Sequence, residues 1–320
     1  MKWKKLGKVF DPMEHALPCG GAGFAQSPQT LVLDDRVRVY FSTRERDVTG
    51  KYLSHIAFVD FDKSMQAILQ VSSQPVMALG KLGCFDEHGI FPINLCKEDD
   101  RVLAFTTGWT RRVSVSADAA IGLAISHDQG LTFTRHGDGP VMAAALHEPF
   151  LVGDAFVLKR AHRYHMWYIF GVRWTHPPGA AQPERVYKIA YATSVDGIEW
   201  QRDSRLIISD RRDEDECQAL PTVIELNGRY HMYFCHRAAY GFREHSDKAY
   251  RIGYAYSDDL VSWTRDDAQA GIDVSAEGEW DSQMQCYPHV FQSDGKVFML
   301  YNGNEFGRHG FGLAELIEEQ

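Results

Sequence analysis

No apolar run in this 320-residue chain approaches the roughly 18 residues needed to cross a bilayer, so no segment reads as a spanning helix and no membrane partner is expected. The basic start, MKWKKLGKVFDP, lacks the apolar stretch of a secretory signal, which sets the expectation of a cytoplasmic protein. The six cysteines (Cys19, Cys84, Cys96, Cys217, Cys235 and Cys286) contain no C-x-x-C pair, so free thiols in a reducing compartment are expected rather than a disulfide framework. Closely spaced metal-ligand pairs are missing as well, and neither a metal nor a cofactor is expected. Nor is there a Lys/Arg stripe. With a formal net charge of -9 the chain offers no footprint for nucleic acid. Amphipathic stretches of 3.6-residue period are also absent, which argues against a fold of β-α-β units. What remains, at 44% hydrophobic and 24% charged residues, is a globular domain rather than a disordered chain.

The chain repeats itself. A polar lead-in, a proline, an alternating strand, a turn and an aromatic strand recur in AQSPQTLVLDDRVRVYFSTR, GIFPINLCKEDDRVLAFTTGW, VGDAFVLKRAHRYHMWYIFG, QALPTVIELNGRYHMYFCHR and CYPHVFQSDGKVFMLYNGN. Aligned on Pro28, Pro92, Ala155, Pro221 and Pro288, the copies are spaced by 63 to 67 residues. A second phrase adds a third strand, as in YKIAYATSVDGIEW and YRIGYAYSDDLVSW, and in the middle three copies a Ser-Asp turn leads to an aromatic fourth strand. Period-2 alternation, β-branched and aromatic enrichment and Gly/Asn/Asp turns are strand signals. Four antiparallel strands in each of five copies predict an all-β, five-bladed β-propeller occupying residues 1–320 as one domain. The fifth copy stops after its third strand. KWKKLGKVF resembles the missing one, so the N-terminal strand is expected to close the last blade and leave no open edge.

In such blades the loop entering the first strand and the loop leaving the second open onto the same face, where ligands of propellers sit. Ahead of the first strands stand Asp86, Glu87 and His88; Glu148 and Asp154; Glu216 and Gln218; and Asp281, Gln285 and Tyr287. After the second strands come Arg44, Glu45 and Arg46; Trp109; Arg173 and Trp174; His236 and Arg237; and Asn302 and Asn304. Carboxylates, amides and aromatic platforms suit a polyhydroxylated ligand. Converging guanidiniums suit a phosphate or carboxylate, whose oxygens they grip in pairs.

The chain resembles the five-bladed glycoside hydrolases of families 32, 43, 68 and 130 over its whole length. GDAFVLKRAHRYHMWY is similar to their Asp-bearing strand, DECQALPTVIELNGRYHMYF to their Glu-bearing blade, and WDSQMQCYPHVFQSDGKVFMLYNGNEFGRHGFGLAE to a fifth-blade signature. SHDQGLTF matches the Asp-box hairpin of propellers, a structural motif away from the mouth. The resemblance implies a glycosidase acting through carboxylates on either side of the glycosidic bond, one of them protonated at neutral pH. It points to Glu216 as general acid, with Asp154 and Asp86 as base or tuning residue. Where the family carries a first-blade acid this chain reads Gln26-Ser27-Pro28, so phosphorolysis, with phosphate held by the arginines in place of a base, and a non-catalytic sugar-binding role stay open. The expected partner is an intracellular oligosaccharide or small sugar.

Overall fold

Residues 1–20, 22–176 and 182–318 are described in the computed structural model. Twenty strands and four short 3-10 turns make up the secondary structure of these residues, with no α-helix among them. The first group is β2 (Gln26–Val32), β3 (Val37–Arg46), β4 (Tyr52–Phe61) and β5 (Ile68–Val71), paired antiparallel in that order. A second group, β6 (Gly89–Lys97), β7 (Val102–Arg111), β8 (Ala117–Ser126) and β9 (Thr134–Arg135), is joined to the first by one parallel pairing, Ser54 with Gly89. The third is β10 (Val152–Arg160), β11 (Arg163–Thr175), β12 (Glu184–Ser194) and β13 (Gln201–Arg202). A fourth comprises β14 (Cys217–Leu226), β15 (Arg229–Arg237), β16 (Arg251–Ser257) and β17 (Thr264–Arg265). The last sheet runs β18 (Cys286–Ser293), β19 (Lys296–Asn302), β20 (Phe311–Glu318) and then β1 (Lys2–Phe10), so the N-terminal strand supplies its outer edge.

Packing explains why the inner strands do not read as a simple apolar-polar alternation. In β3 seven consecutive residues, Val37 to Thr43, are buried, because both faces meet another sheet. One face packs Val39, Phe41 and Val59 against Phe291, Phe298 and Leu300 of the last sheet; the other packs Tyr40, Ile56 and Phe58 against Ile90, Ile93 and Ala104 of the second. Further clusters join the second sheet to the third, the third to the fourth and the fourth to the last. The first strands β2, β6, β10, β14 and β18 each contact the next, and β18 contacts β2.

The Ser-Asp-aromatic segments tie these sheets together. In each turn a serine hydroxyl (Ser126, Ser194, Ser257) donates to the carboxylate two residues on and accepts a backbone N–H of the turn. That closes the turn and aims the following aromatic at the preceding sheet. Phe133 meets Tyr40, Trp200 meets Phe105, and Trp263 meets Trp167, each edge to face.

Candidate functional site

Every first strand carries the same irregularity at the position aligned from sequence. Register breaks fall between Gln26 and Gln29, Ile90 and Ile93, Gly153 and Phe156, Ala219 and Thr222, and Cys286 and His289. Four of the five bulges hold a non-glycine residue at positive φ, namely Ser27, Asp154, Leu220 and Tyr287; the fifth contains the Phe91-Pro92 cis peptide. A bulge turns a side chain out of the ladder, and here it faces residues of the first strands toward one cavity. That cavity has a volume of about 500 Å³, and each of β2, β6, β10, β14 and β18 contributes to its lining, through Gln26, Phe91, Asp154, Ala219 and Tyr287.

Among the described residues Asp154 is the one buried carboxylate of the cavity, with 7% of its surface exposed. Its backbone N–H donates to Thr107 Oγ1 at 2.7 Å, which pins the bulge to the neighbouring sheet. Burial pushes its pKa up to about 7; a backbone N–H of Leu220 and the charge of Arg185 oppose that rise without cancelling it. The other acid of the lining, Asp118, is partly exposed and ion-paired with Arg112.

Cations outnumber these acids. Arg44, Arg185, Arg237 and Arg243 all line the cavity. Arg44 stacks on Phe24 and Tyr52, at 4.5 and 5.3 Å from the ring centres, and its buried Nε has no hydrogen-bond partner. Arg237, 2% exposed, donates to the Tyr187 hydroxyl and to the carbonyls of Ala238 and Ala239, and lies 3.6 Å over the Phe242 ring. Among the described residues neither guanidinium has a carboxylate partner. Arg243 is neutralised by Glu184 at 2.7 Å, and Arg185 donates to Ser116 Oγ. Trp109 forms part of the wall, stacked on His88; a Cβ on Gly89 would fall 2.3 Å from its indole nitrogen, so glycine is what leaves room for it.

Of the residues picked from sequence, the structure thus brings Asp154, Arg44, Trp109, Arg237 and Tyr287 together. It places Glu216, expected as the general acid, outside the cavity and fully buried, bonded to Arg265 Nη1 at 2.5 Å and to Gln218 Nε2 at 3.1 Å. Burial alone would raise the Glu216 pKa, but the Arg265 guanidinium more than offsets it and holds the group ionised. His236 sits behind it, 3.7 Å from both Glu216 and Asp267; burial, helped by Arg265, drives its pKa down to about 4. Asp86 is likewise sealed, on Arg135 at 2.9 Å, and Glu148 is held by Arg202 and the Tyr168 hydroxyl, both at 2.6 Å. Asp281 accepts from Lys5 Nζ and Gln285 Nε2, both at 2.8 Å.

The remaining candidates are also engaged elsewhere. Glu87 accepts the Gly83 N–H, Arg173 pairs with Asp215, and Arg46 bonds the Gly50 carbonyl and the Tyr52 hydroxyl. Trp174 lies outside the lining with Arg185 above its ring, and Asn302 ties Ser27, Ala25 and Gly310 together. Asn304 borders a second, polar depression that shares Phe242 and Arg243 with the cavity, and Glu45 faces His55. Of the lining residues that sequence reading passed over, Tyr52, Ser54, Asp118, Arg185 and Tyr187 begin third strands, while Phe242, Arg243 and Tyr250 come from the loop between β15 and β16. Antiparallel pairing carried the signal. Arg44 pairs with Ser54, Trp109 with Ala119 and Trp174 with Arg185, so the start of a third strand lies beside the end of a second.

No protein-family model matches the chain. Its fold is that of solved glycoside hydrolases. A structure described as a glycoside hydrolase superposes with a TM-score of 0.75 over 99% of this chain and 93% of that one, at 16% identity. A thermostable family-43 glycoside hydrolase gives 0.65 over 94% and 92% at 15% identity, and the endo-arabinase of Bacteroides thetaiotaomicron 0.65 over 93% and 96% at 13%. In sequence, the chain belongs to the family of the uncharacterized proteins Rv1502 and MT1551 of Mycobacterium tuberculosis, to which it is 34% identical over 322 residues, 99% of either chain.

Proposed function

We propose that the protein is a five-bladed propeller enzyme that cleaves a glycosidic bond in the cavity, with Asp154 donating the proton to the leaving oxygen. The observation that carries this is Asp154 itself, a cavity carboxylate whose pKa of about 7 keeps a substantial fraction protonated at neutral pH. Trp109, Tyr187 and Tyr287 give the cavity the aromatic surface that sugar rings stack on. Six free cysteines, four of them buried, support a reducing compartment and hence an intracellular sugar.

A second reading, phosphorolysis, is favoured by the guanidiniums of Arg44 and Arg237. Arg237 is buried, and Arg44 is half-buried with its Nε sealed from solvent; a charge withdrawn from water without a counter-charge is costly, and an anionic partner would complete both. Inorganic phosphate held there would attack the anomeric carbon while Asp154 protonates the departing oxygen. That division of labour needs one carboxylate, in keeping with Gln26 at the position where the hydrolases have an acid.

The experiment is sugar release from a panel of glycosides and nucleotide sugars, with and without phosphate, by wild type and Asp154→Asn. Turnover that collapses in the variant supports the proposal, and a requirement for phosphate selects phosphorolysis. Equal turnover in both proteins removes Asp154 from the mechanism. Sugar binding without turnover on any substrate would make this a binding module.

A further inference from the structure

On the face of the first sheet turned away from the cavity, Cys19, Glu45 and His55 converge. One ligand atom from each, the thiol sulfur, a carboxylate oxygen and a ring nitrogen, lies within 4.8 Å of the other two. Strand alternation sets this up. Arg44 and Ser54 project into the cavity, so their neighbours Glu45 on β3 and His55 on β4 project from the opposite face. The N-terminal segment runs beside β3, tied to it by the Ala22 N–H on the Arg44 carbonyl and the Thr43 hydroxyl on the Gly23 carbonyl. Cys19, in a 3-10 turn with φ of 64°, brings its sulfur to the pair.

His55 is what a packing account leaves unexplained. Both of its ring nitrogens are buried and neither has a hydrogen-bond partner. Nε2 lies 3.1 Å from Glu45 Oε2 without the direction of a hydrogen bond. A ring nitrogen, Nδ1, sealed from solvent with no partner among the described residues, on an imidazole whose Nε2 only abuts a carboxylate beside a thiol, makes an incomplete polar cluster, and such groups are costly unless something satisfies them.

We propose that Cys19, Glu45 and His55 bind a zinc ion. Sulfur, imidazole nitrogen and carboxylate oxygen are the three donor types zinc accepts, and a thiolate and a carboxylate together balance its two charges. Bond lengths of about 2.0 to 2.3 Å set ligand atoms of a tetrahedral site roughly 3.5 Å apart; His55 and Glu45, at 3.1 Å, already have that spacing, and the Cys19 sulfur, within 4.8 Å of both, has about 1 Å at most to close. Cys19 releases its proton to solvent as the Zn–S bond forms. Glu45, with 40% of its side chain exposed, marks the solvent side, where water takes the fourth position. The ion would clamp the N-terminal segment onto β3. Phe24, on that segment, is the ring under the Arg44 guanidinium, so the clamp also fixes one wall of the cavity.

The test uses the full chain stripped with a chelator. Calorimetric titration with Zn²⁺ is expected to show one equivalent bound by wild type and by Cys84→Ser, a thiol elsewhere, and none by Cys19→Ser or His55→Gln. Co²⁺ in place of zinc is expected to give a thiolate-to-metal charge-transfer band that Cys19→Ser abolishes. The stripped variants should unfold at the temperature of stripped wild type, which separates lost ligands from lost fold, and Zn²⁺ should raise that temperature in wild type alone. Absence of binding to wild type, or a band and an equivalent that survive in both ligand variants, would overturn the proposal. None of these readouts depends on sugar chemistry.

Discussion

Two sets of charges meet at the first strands, and they obey opposite rules. In the second to fifth sheets a carboxylate ahead of the first strand is sealed and handed a cation from the outermost strand: Asp86 with Arg135 of β9, Glu148 with Arg202 of β13, Glu216 with Arg265 of β17, and Asp281 with Lys5 of β1. These carboxylates are at most 1% exposed. They staple the edge strand, often only two residues long, to the inner loop of its own sheet. One step along the chain, the cavity inverts the arrangement. Among the described residues Arg44 and Arg237 stand without carboxylates, and Asp154 has no cation close enough to hold it ionised. A buried charge whose partner is built in serves the fold; one whose partner is missing is poised for a ligand.

The largest effect expected from this contrast is on Asp154→Asn. Removing a general acid lowers turnover by about 10² to 10⁴, and the wild-type rate should fall as pH rises through about 7, where Asp154 loses its proton. The same substitution should stabilise the protein. An unfolded aspartate titrates near 3.8 and the folded one near 7, so the folded state holds the extra proton between them. Stability is therefore full below the lower value and lost as pH rises through the upper one, by an upper bound of about 4 kcal/mol. Thermal unfolding from pH 4 to 8 should show this loss in wild type and not in Asp154→Asn. An equal slope in both would place the titration elsewhere.

Glu216→Ala is expected to act through stability alone. It leaves Arg265 with one remaining counter-charge, the partly exposed Asp267 at 2.8 Å, so the loss in denaturant unfolding is about 2 to 3 kcal/mol, below the full cost of an unpaired buried charge. Replacing both, Glu216→Ala with Arg265→Met, should recover much of that. A Glu216→Ala protein that keeps its stability and loses turnover would break the division between paired and unpaired charge.

The sequence showed the repeat because the repeat has local causes. A bulge that needs proline or a residue at positive φ leaves a mark at Pro28, Pro92, Pro221 and Pro288, and Ser-Asp turns mark the hairpins. It did not show which acid faces the cavity, because partnership is not local. Arg135 is 49 residues from Asp86, Arg202 is 54 from Glu148, and Lys5 is 276 from Asp281. Glu216 and Asp154 look alike as letters ahead of a strand; the guanidinium of Arg265 separates them. Arg185 was readable from hairpin geometry, since the mouth must include the strand that pairs with Trp174.

A smaller effect is expected for Arg44→Met. The long apolar side chain keeps the packing on Phe24 and Tyr52, while loss of charged hydrogen bonds weakens phosphate or a phosphorylated sugar by about tenfold to a hundredfold in calorimetry. Stability should hold or rise, since a half-buried charge without a counter-charge has gone. Unchanged affinity with lowered stability would mean that Arg44 belongs with the staples.

The smallest effect isolates burial as the deciding variable. Arg229 and Asp258 form an ion pair at 2.8 Å in the same sheet as Glu216 and Arg265, but their side chains are 49% and 73% exposed. Separation and charge match the buried staple; solvent does not. Water and salt screen such a pair, and ordering two mobile side chains offsets what attraction remains. Asp258→Asn should therefore leave the denaturant midpoint where wild type has it, at low and at high salt. A loss comparable to that of Glu216→Ala would show that position in the sheet, rather than removal from water, makes these pairs hold the fold.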